Sequence, residues 1–193
     1  MRLRFDQLGG HLQRQLAPVY LICGEEPWQL GEAVRMVRTC ALGQGFEREV
    51  LDQEANFDWS ALAAAADALS LFASRRLIEL RLGAASLGQD GSAAVRRYCE
   101  RAAPDTVLLM VAPQLDRKDL KTKWAQEVER IGALVQVWPL EGGRLIAWLG
   151  DRLRVAGFQA APGVAALLAE RVEGNLLAAV QEIEKLRLLR EPG

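Results

Sequence analysis

The chain has 193 residues, half of them apolar, and its 24 Lys and Arg nearly balance 25 Asp and Glu. That length supports one ordinary core plus a smaller second one, and a net charge of −1 excludes the global basic field that drives autonomous nucleic-acid binding. Three scattered cysteines without a CxxC pair, and His11 as the single histidine, exclude a disulfide framework, a zinc site and a His-based triad.

The predicted elements begin with an amphipathic segment carrying Phe5, Leu8, Leu12 and Leu16 at helical spacing, which ends at Ala17-Pro18. Val19 to Cys23 then reads as a strand closed by Gly24, with Pro27 opening a helix whose buried face is Leu30, Val34, Val37 and Ala41. Phe46 to Leu51 is a second predicted strand, Asp58 caps an alanine-rich helix from Trp59 to Ala68, and Leu77 to Leu82 is a third strand. A loop from Gly83 to Ser92 leads to a helix over Ala93 to Ala102 and a buried strand over Val107 to Ala112. A helix from Asp119 to Ile131 and a fifth strand from Leu134 to Trp138 complete the alternation. This order predicts an α/β domain over 1–139 with a mostly parallel five-stranded sheet covered by helices. Past Pro139 to Gly143 no strand pattern recurs. Helical patterns over Arg144 to Val155, Gly163 to Val172 and Asn175 to Arg190 predict a small helical-bundle domain over 140–193, with the chain expected to stop inside or just after it. Val107 to Ala112 is the densest apolar run and is too short to cross a bilayer, and the N-terminus lacks the apolar core of a signal peptide. A cytoplasmic protein with no membrane partner is expected.

A sheet of this kind binds nucleotide where the first strand meets the next helix, through a Gly-rich loop and a lysine. Here the loop reads Gly24-Glu25-Glu26-Pro27, which sets two carboxylates where phosphates would sit, deletes one N–H at Pro27 and offers no lysine. The strand tips Leu80-Arg81-Leu82-Gly83 and Val111-Ala112-Pro113-Gln114 also lack the acidic pair that would hold magnesium. No cofactor and no ATPase activity are expected, with Glu25 and Glu26 acting as helix N-terminal caps.

Between the alanine-rich helix and the third strand lies Ala68-Leu69-Ser70-Leu71-Phe72-Ala73-Ser74-Arg75-Arg76. Neighbours on a helix point about 100° apart, so Leu71 and Phe72 cannot share one buried stripe unless the helix has already stopped. They either plug the local core or offer a hydrophobic plug to another protein. Leu69-Ser70-Leu71-Phe72 resembles the short peptides that bind the bacterial sliding clamp, and "LSLFASRR" resembles the clamp-binding turn of the delta subunits of the DNA polymerase III clamp loader. The likeness extends along the chain through "YLICGEEPWQLGEAV", "SLFASRRLIEL" and "VEGNLLAAVQEIEKLRLL".

The resemblance implies an AAA+-like fold with a degenerate phosphate loop, and a subunit that binds the sliding clamp and opens its ring during DNA replication without hydrolysing ATP. It implies Leu69, Ser70, Leu71, Phe72, Arg75 and Arg76 as clamp-binding residues. The implied partners are the clamp, the gamma/tau and delta prime subunits, and DNA within the assembled complex. Members of the family also carry a third, C-terminal helical domain that this sequence does not reach. Leu176 and Leu177 fall where ATPase relatives carry a sensor arginine. The alternatives are a sibling or scaffold subunit whose Leu71 and Phe72 are core, or an active P-loop ATPase.

The only dense basic run holds Arg117, Lys118, Lys121 and Lys123, and reads as either a solvated helix start or a phosphate-contacting edge. Arg75 and Arg76 read equally as a charged rim or as strand-edge charges. Trp28, Trp59, Trp124, Trp138 and Trp148 fall at core-compatible positions.

Overall fold

In the computed structural model, residues 1–67, 75–83, 86–115 and 118–189 are described. They divide into two units, Met1–Val137 and Trp138–Gly193.

The first unit is a parallel sheet of six strands, one more than the sequence pattern predicts. The extra strand is β1 (Arg2–Arg4), and the others are β2 (Val19–Gly24), β3 (Glu47–Gln53), β4 (Arg76–Leu82), β5 (Thr106–Ala112) and β6 (Ala133–Val137). Their spatial order is β1-β6-β2-β5-β4-β3. The central strands β2 and β5 are buried along almost their whole length, which is why they read as continuous apolar runs. β1 escapes the pattern because Arg2 and Arg4 flank one inward leucine, and it is held by backbone pairing of Arg2–Arg4 with Leu134–Gln136.

Helices α1 (Phe5–Arg14) and α2 (Pro27–Gly43) cover one face through Leu8, Leu12, Val34 and Val37, which pack on Tyr20, Ile22, Leu77 and Leu109. The other face is covered by α3 (Ser60–Asp67), α4 (Gly88–Glu100) and α5 (Lys123–Ile131), where Leu62, Val95 and Trp124 meet Leu21, Ile78, Leu108 and Met110. Each of these fully buried aliphatic side chains contributes about 2 kcal/mol.

Two boundaries depart from the sequence pattern. The expected loop over Gly83 to Ser92 gives way to helix from Gly88, because Gly91 lets α4 pack against Trp59: an added Cβ would lie 2.4 Å from its Cζ2. The expected helix over Asp119 to Ile131 splits into a 3₁₀ turn, Asp119–Lys121, and α5.

One charged network crosses the α2 face. Glu79 in β4 is 1% exposed and receives Arg38 of α2, Arg48 of β3 and Arg81 of its own strand, at 3.0, 2.7 and 3.0 Å. Burial alone would raise this carboxyl. The bonds from Arg48 and Arg81 and the charge of Arg38 outweigh that and hold it below the usual carboxylate range. The network fastens β3, the strand at the sheet edge, to α2.

The second unit contains α6 (Gly142–Val155), α7 (Val164–Val172) and α8 (Leu176–Leu189). Its interior is Leu145, Leu149, Leu153, Val172, Leu176, Ala179 and Ile183. Asn175 caps α8 by accepting from the Ala178 N–H at 3.0 Å, after α7 ends through Glu173 and Gly174 at positive φ.

Candidate functional site

All strands run the same way, so the sheet has two chemically different edges. At the C-terminal edge, β2 turns through Gly24 into α2. Gly24 sits at φ +131°, and a Cβ there would lie 1.8 Å from the Val137 carbonyl oxygen, so only glycine fits this crossing. Glu26 follows as the N-cap of α2 and is 4% exposed. Its carboxylate accepts from the Trp28 N–H at 3.2 Å and from the Gln29 N–H, while Pro27 in the first helical position has no N–H. The donors at this helix end that would face a phosphate are therefore either missing or bound to a buried carboxylate. Glu25 is exposed and takes no part, so the capping expected of both glutamates belongs to Glu26 alone.

At the N-terminal edge, about 23 Å away by strand rise, α3 is described to Asp67 and the chain is described again from Arg75. Leu69, Ser70, Leu71 and Phe72 lie outside the described residues. The flanks are well fixed. The Arg75 carbonyl accepts from the Glu47 N–H at 2.9 Å, and the Arg76 N–H donates to the Asp105 carbonyl at 2.8 Å. Arg75 is exposed, donates from Nη1 to the Gln44 carbonyl at 3.0 Å, and holds its guanidinium 5.6 Å from the Phe46 ring centroid. Arg76 is half-buried: Nη1 donates to the Ala65 carbonyl at 2.9 Å and lies 3.5 Å from Glu49 Oε2. The two arginines, adjacent in sequence, thus point to different partners on opposite faces of the sheet.

Two depressions open at this edge. One, of about 340 Å³, lies between α3 and α4 and is lined by Leu62, Ala66, Asp67, Ala94 and Arg97. The other, of about 430 Å³, is lined by Leu16, Phe46, Arg75, Pro104 and Val107. Tyr98 closes the space below the sheet by donating to the carbonyls of Pro18 and Thr106, each at 3.2 Å. On the other face of the sheet, the Tyr20 hydroxyl accepts from the Ala17 N–H at 2.9 Å and lies 3.0 Å from His11 Nε2.

The basic run follows the C-terminal end of β5. Lys118, Lys121 and Lys123 are exposed around the 3₁₀ turn, while Leu120 and Trp124 face inward; Arg117 lies outside the described residues. The structure does not bring these lysines to the edge that carries Arg75 and Arg76. Of the five tryptophans, Trp124 alone is fully buried, and the other four are half-buried. Among the described residues, no group of three or more His, Cys, Asp or Glu could hold a metal ion, and no helix is long and apolar enough to cross a membrane.

Residues 20–135, more than half of the chain and spanning both edges of the sheet, match the family "DNA polymerase III, delta subunit". The chain belongs to the DNA polymerase III delta subunit family. It is 28% identical over 194 aligned positions to the DNA polymerase III subunit delta of Escherichia coli, covering all of this chain and 57% of that protein. It is 26% identical to the Haemophilus influenzae subunit delta, covering 95% of this chain and 54% of that protein. The chain thus spans a little over half the length of the curated delta subunits it matches. Among solved structures, the DNA clamp loader delta protein of Bacillus subtilis superposes with a TM-score of 0.73 at 19% identity, over 96% of this chain and 57% of that one. AMPPCP-bound DnaA from Aquifex aeolicus superposes with a TM-score of 0.51 at 11% identity, over 95% of this chain and 60% of that one. The fold of this delta-family chain is therefore the AAA+-like parallel sheet followed by helices.

Proposed function

We propose that this chain is the part of a clamp-loader delta subunit that grips the sliding clamp and favours its opening, without binding or hydrolysing ATP. The observation that carries the reading is the delta-family match across residues 20–135, which includes the Leu69-Ser70-Leu71-Phe72 string. Leu71 and Phe72 are the anchors that enter an apolar pocket on the clamp, with Leu69 and Ser70 beside them and exposed Arg75 at the charged rim. Opening follows from differential binding: a segment that fits the separated ring interface better than the closed one shifts the ring toward the open state. ATP-driven control then belongs to partner subunits, the gamma/tau and delta prime subunits of the loader. Support for the absence of ATP chemistry is the α2 N-terminus, where Glu26 already takes the donors that a phosphate would need. DNA contact by Arg117, Lys118, Lys121 and Lys123 is a secondary, phosphate-directed role, weak alone and steeply salt-dependent.

The test is the double variant Leu71→Ala, Phe72→Ala, with clamp affinity and melting temperature measured on the same samples. Each anchor is expected to contribute about 2 kcal/mol or more, roughly 30-fold in affinity, with the melting temperature close to the parent's. A strongly destabilised variant that binds the clamp as tightly as the parent would return both residues to the core and overturn the reading.

A further inference from the structure

The second unit carries an apolar groove with an unpaired acidic rim. Between the start of α6 and the end of α7 lies a depression of about 360 Å³, floored by Leu145, Ile146, Ala166 and Ala169. Ala166, Ala169, Glu170 and Glu173 recur at helical spacing, so α7 and its C-cap turn one stripe to the groove, and the small alanines leave room for an incoming side chain. Leu145 is buried at the floor, while Ile146 is 39% exposed. At Gly142 and Gly174 the groove is open, because even an added Cβ would meet nothing within 4 Å. The rim holds three exposed carboxylates, Glu141, Glu170 and Glu173.

The other described carboxylates of this unit are each paired within their own helix: Asp151 with Arg154, Glu182 with Lys185 and Glu184 with Arg187, at 2.9, 2.7 and 2.9 Å. Among the described residues, Glu141, Glu170 and Glu173 make no ion pair. Glu170 and Glu173 also stand at the C-terminal end of α7, where the helix dipole disfavours a carboxylate and favours a cation. The three do not form a group that could hold a metal ion, so the ligand that matches them carries several separated positive charges. Nucleic acid and anionic lipid are repelled by the same carboxylates. An apolar anchor set between cations satisfies both the floor and the rim. We propose that this groove docks a lysine- and arginine-rich segment of a partner protein, whose aliphatic anchor lies on Leu145 and Ile146 while its cations pair with Glu141, Glu170 and Glu173. Complementary charge then selects the partner and its orientation, and buried apolar area supplies the affinity. The groove belongs to a different unit from Leu71 and Phe72, so its test does not depend on clamp binding.

The experiment titrates the whole chain with a synthetic hexapeptide, an isoleucine–leucine pair flanked on each side by one lysine and one arginine, and follows the methyl resonances of Leu145 and Ile146 by NMR. Saturable shifts at both are expected, with binding that weakens as salt is added. Control peptides with serine in place of the aliphatic pair, or glutamate in place of the cations, are expected to leave both resonances unmoved. Glu170→Gln combined with Glu173→Gln is expected to raise the peptide Kd about fivefold with no loss of melting temperature. Glu173→Gly separates binding from stability, because glycine relieves the left-handed backbone at φ +48° while removing a carboxylate: melting temperature and Kd are both expected to rise. Absence of saturable shifts with millimolar peptide, equal binding of either control peptide, or an unchanged Kd in the glutamate variants overturns the proposal. So does self-association of the parent that Ile146→Ser abolishes, with no peptide bound, since the groove would then belong to a second copy of this chain.

Discussion

The two edges of one parallel sheet have opposite chemistry. At the C-terminal edge, Gly24 packs against the Val137 carbonyl and Glu26 occupies the N–H groups that begin α2, the kind of helix terminus that suits an anion. At the N-terminal edge the flanks of residues 68–74 are pinned by Arg75 and Arg76, beside two depressions of about 340 and 430 Å³. The first edge is closed by the chain's own side chains; the second presents a surface. A buried carboxylate can satisfy the same helix terminus that a phosphate would.

The largest effect that would break this contrast is at the crossing of β2 and β6. Gly24→Ala puts a methyl group 1.8 Å from a backbone oxygen at a left-handed φ, and a loss of several kcal/mol is expected in denaturant unfolding. Retention of parental stability would contradict the close crossing of Gly24 and the Val137 carbonyl. A smaller effect comes from Glu26→Ala, which removes an N-cap and is expected to lower stability by about 1 kcal/mol. The same variant sharpens the comparison. It frees two N–H groups but restores neither the donor missing at Pro27 nor a lysine, so Mg-ATP is expected to leave its melting temperature unchanged.

The smallest effect belongs to the N-terminal edge and is read by pH. Burial, assisted by the charges of Arg14 and the N-terminal ammonium, lowers the pKa of His11 from its ordinary 6.5. The unfolded chain then binds more protons than the folded one below that value, so the stabilising contribution is complete above pH 6.5 and is lost as pH falls toward the lowered folded value. Unfolding free energy measured between pH 7.5 and 5 is expected to decline in the parent and to flatten over this window in His11→Gln. An equal decline in both would assign the pH dependence elsewhere.

Much of this was legible in the sequence. The strand and helix alternation follows from apolar runs such as Val19–Cys23 and Val107–Ala112, and a capped start to α2 follows from Glu26 and Pro27. What stayed hidden depended on distant partners. β1 carries one inward side chain and is held by backbone pairing with β6, which no side-chain period announces. Glu79, a lone acid within the apolar run of β4, signals that partners exist, yet Arg38 and Arg48 arrive from positions 41 and 31 residues earlier. Gly91 reads as a loop residue, whereas its small size serves the contact with Trp59. The bonds of Arg76 to Ala65 and Glu49 were likewise invisible, because a strand-edge arginine looks the same in sequence whether it points to solvent or bonds a backbone carbonyl of a neighbouring helix.

The contrast between the edges is tested most directly by titrating one preparation of the protein, by calorimetry and thermal shift, with Mg-ATP and separately with the sliding clamp. The expected result is no heat and no shift in melting temperature with millimolar Mg-ATP, and saturable binding of the clamp that disappears in Leu71→Ala, Phe72→Ala. Stabilisation by several kcal/mol with Mg-ATP, as mass action gives for a tight site, together with no binding of the clamp, would contradict it.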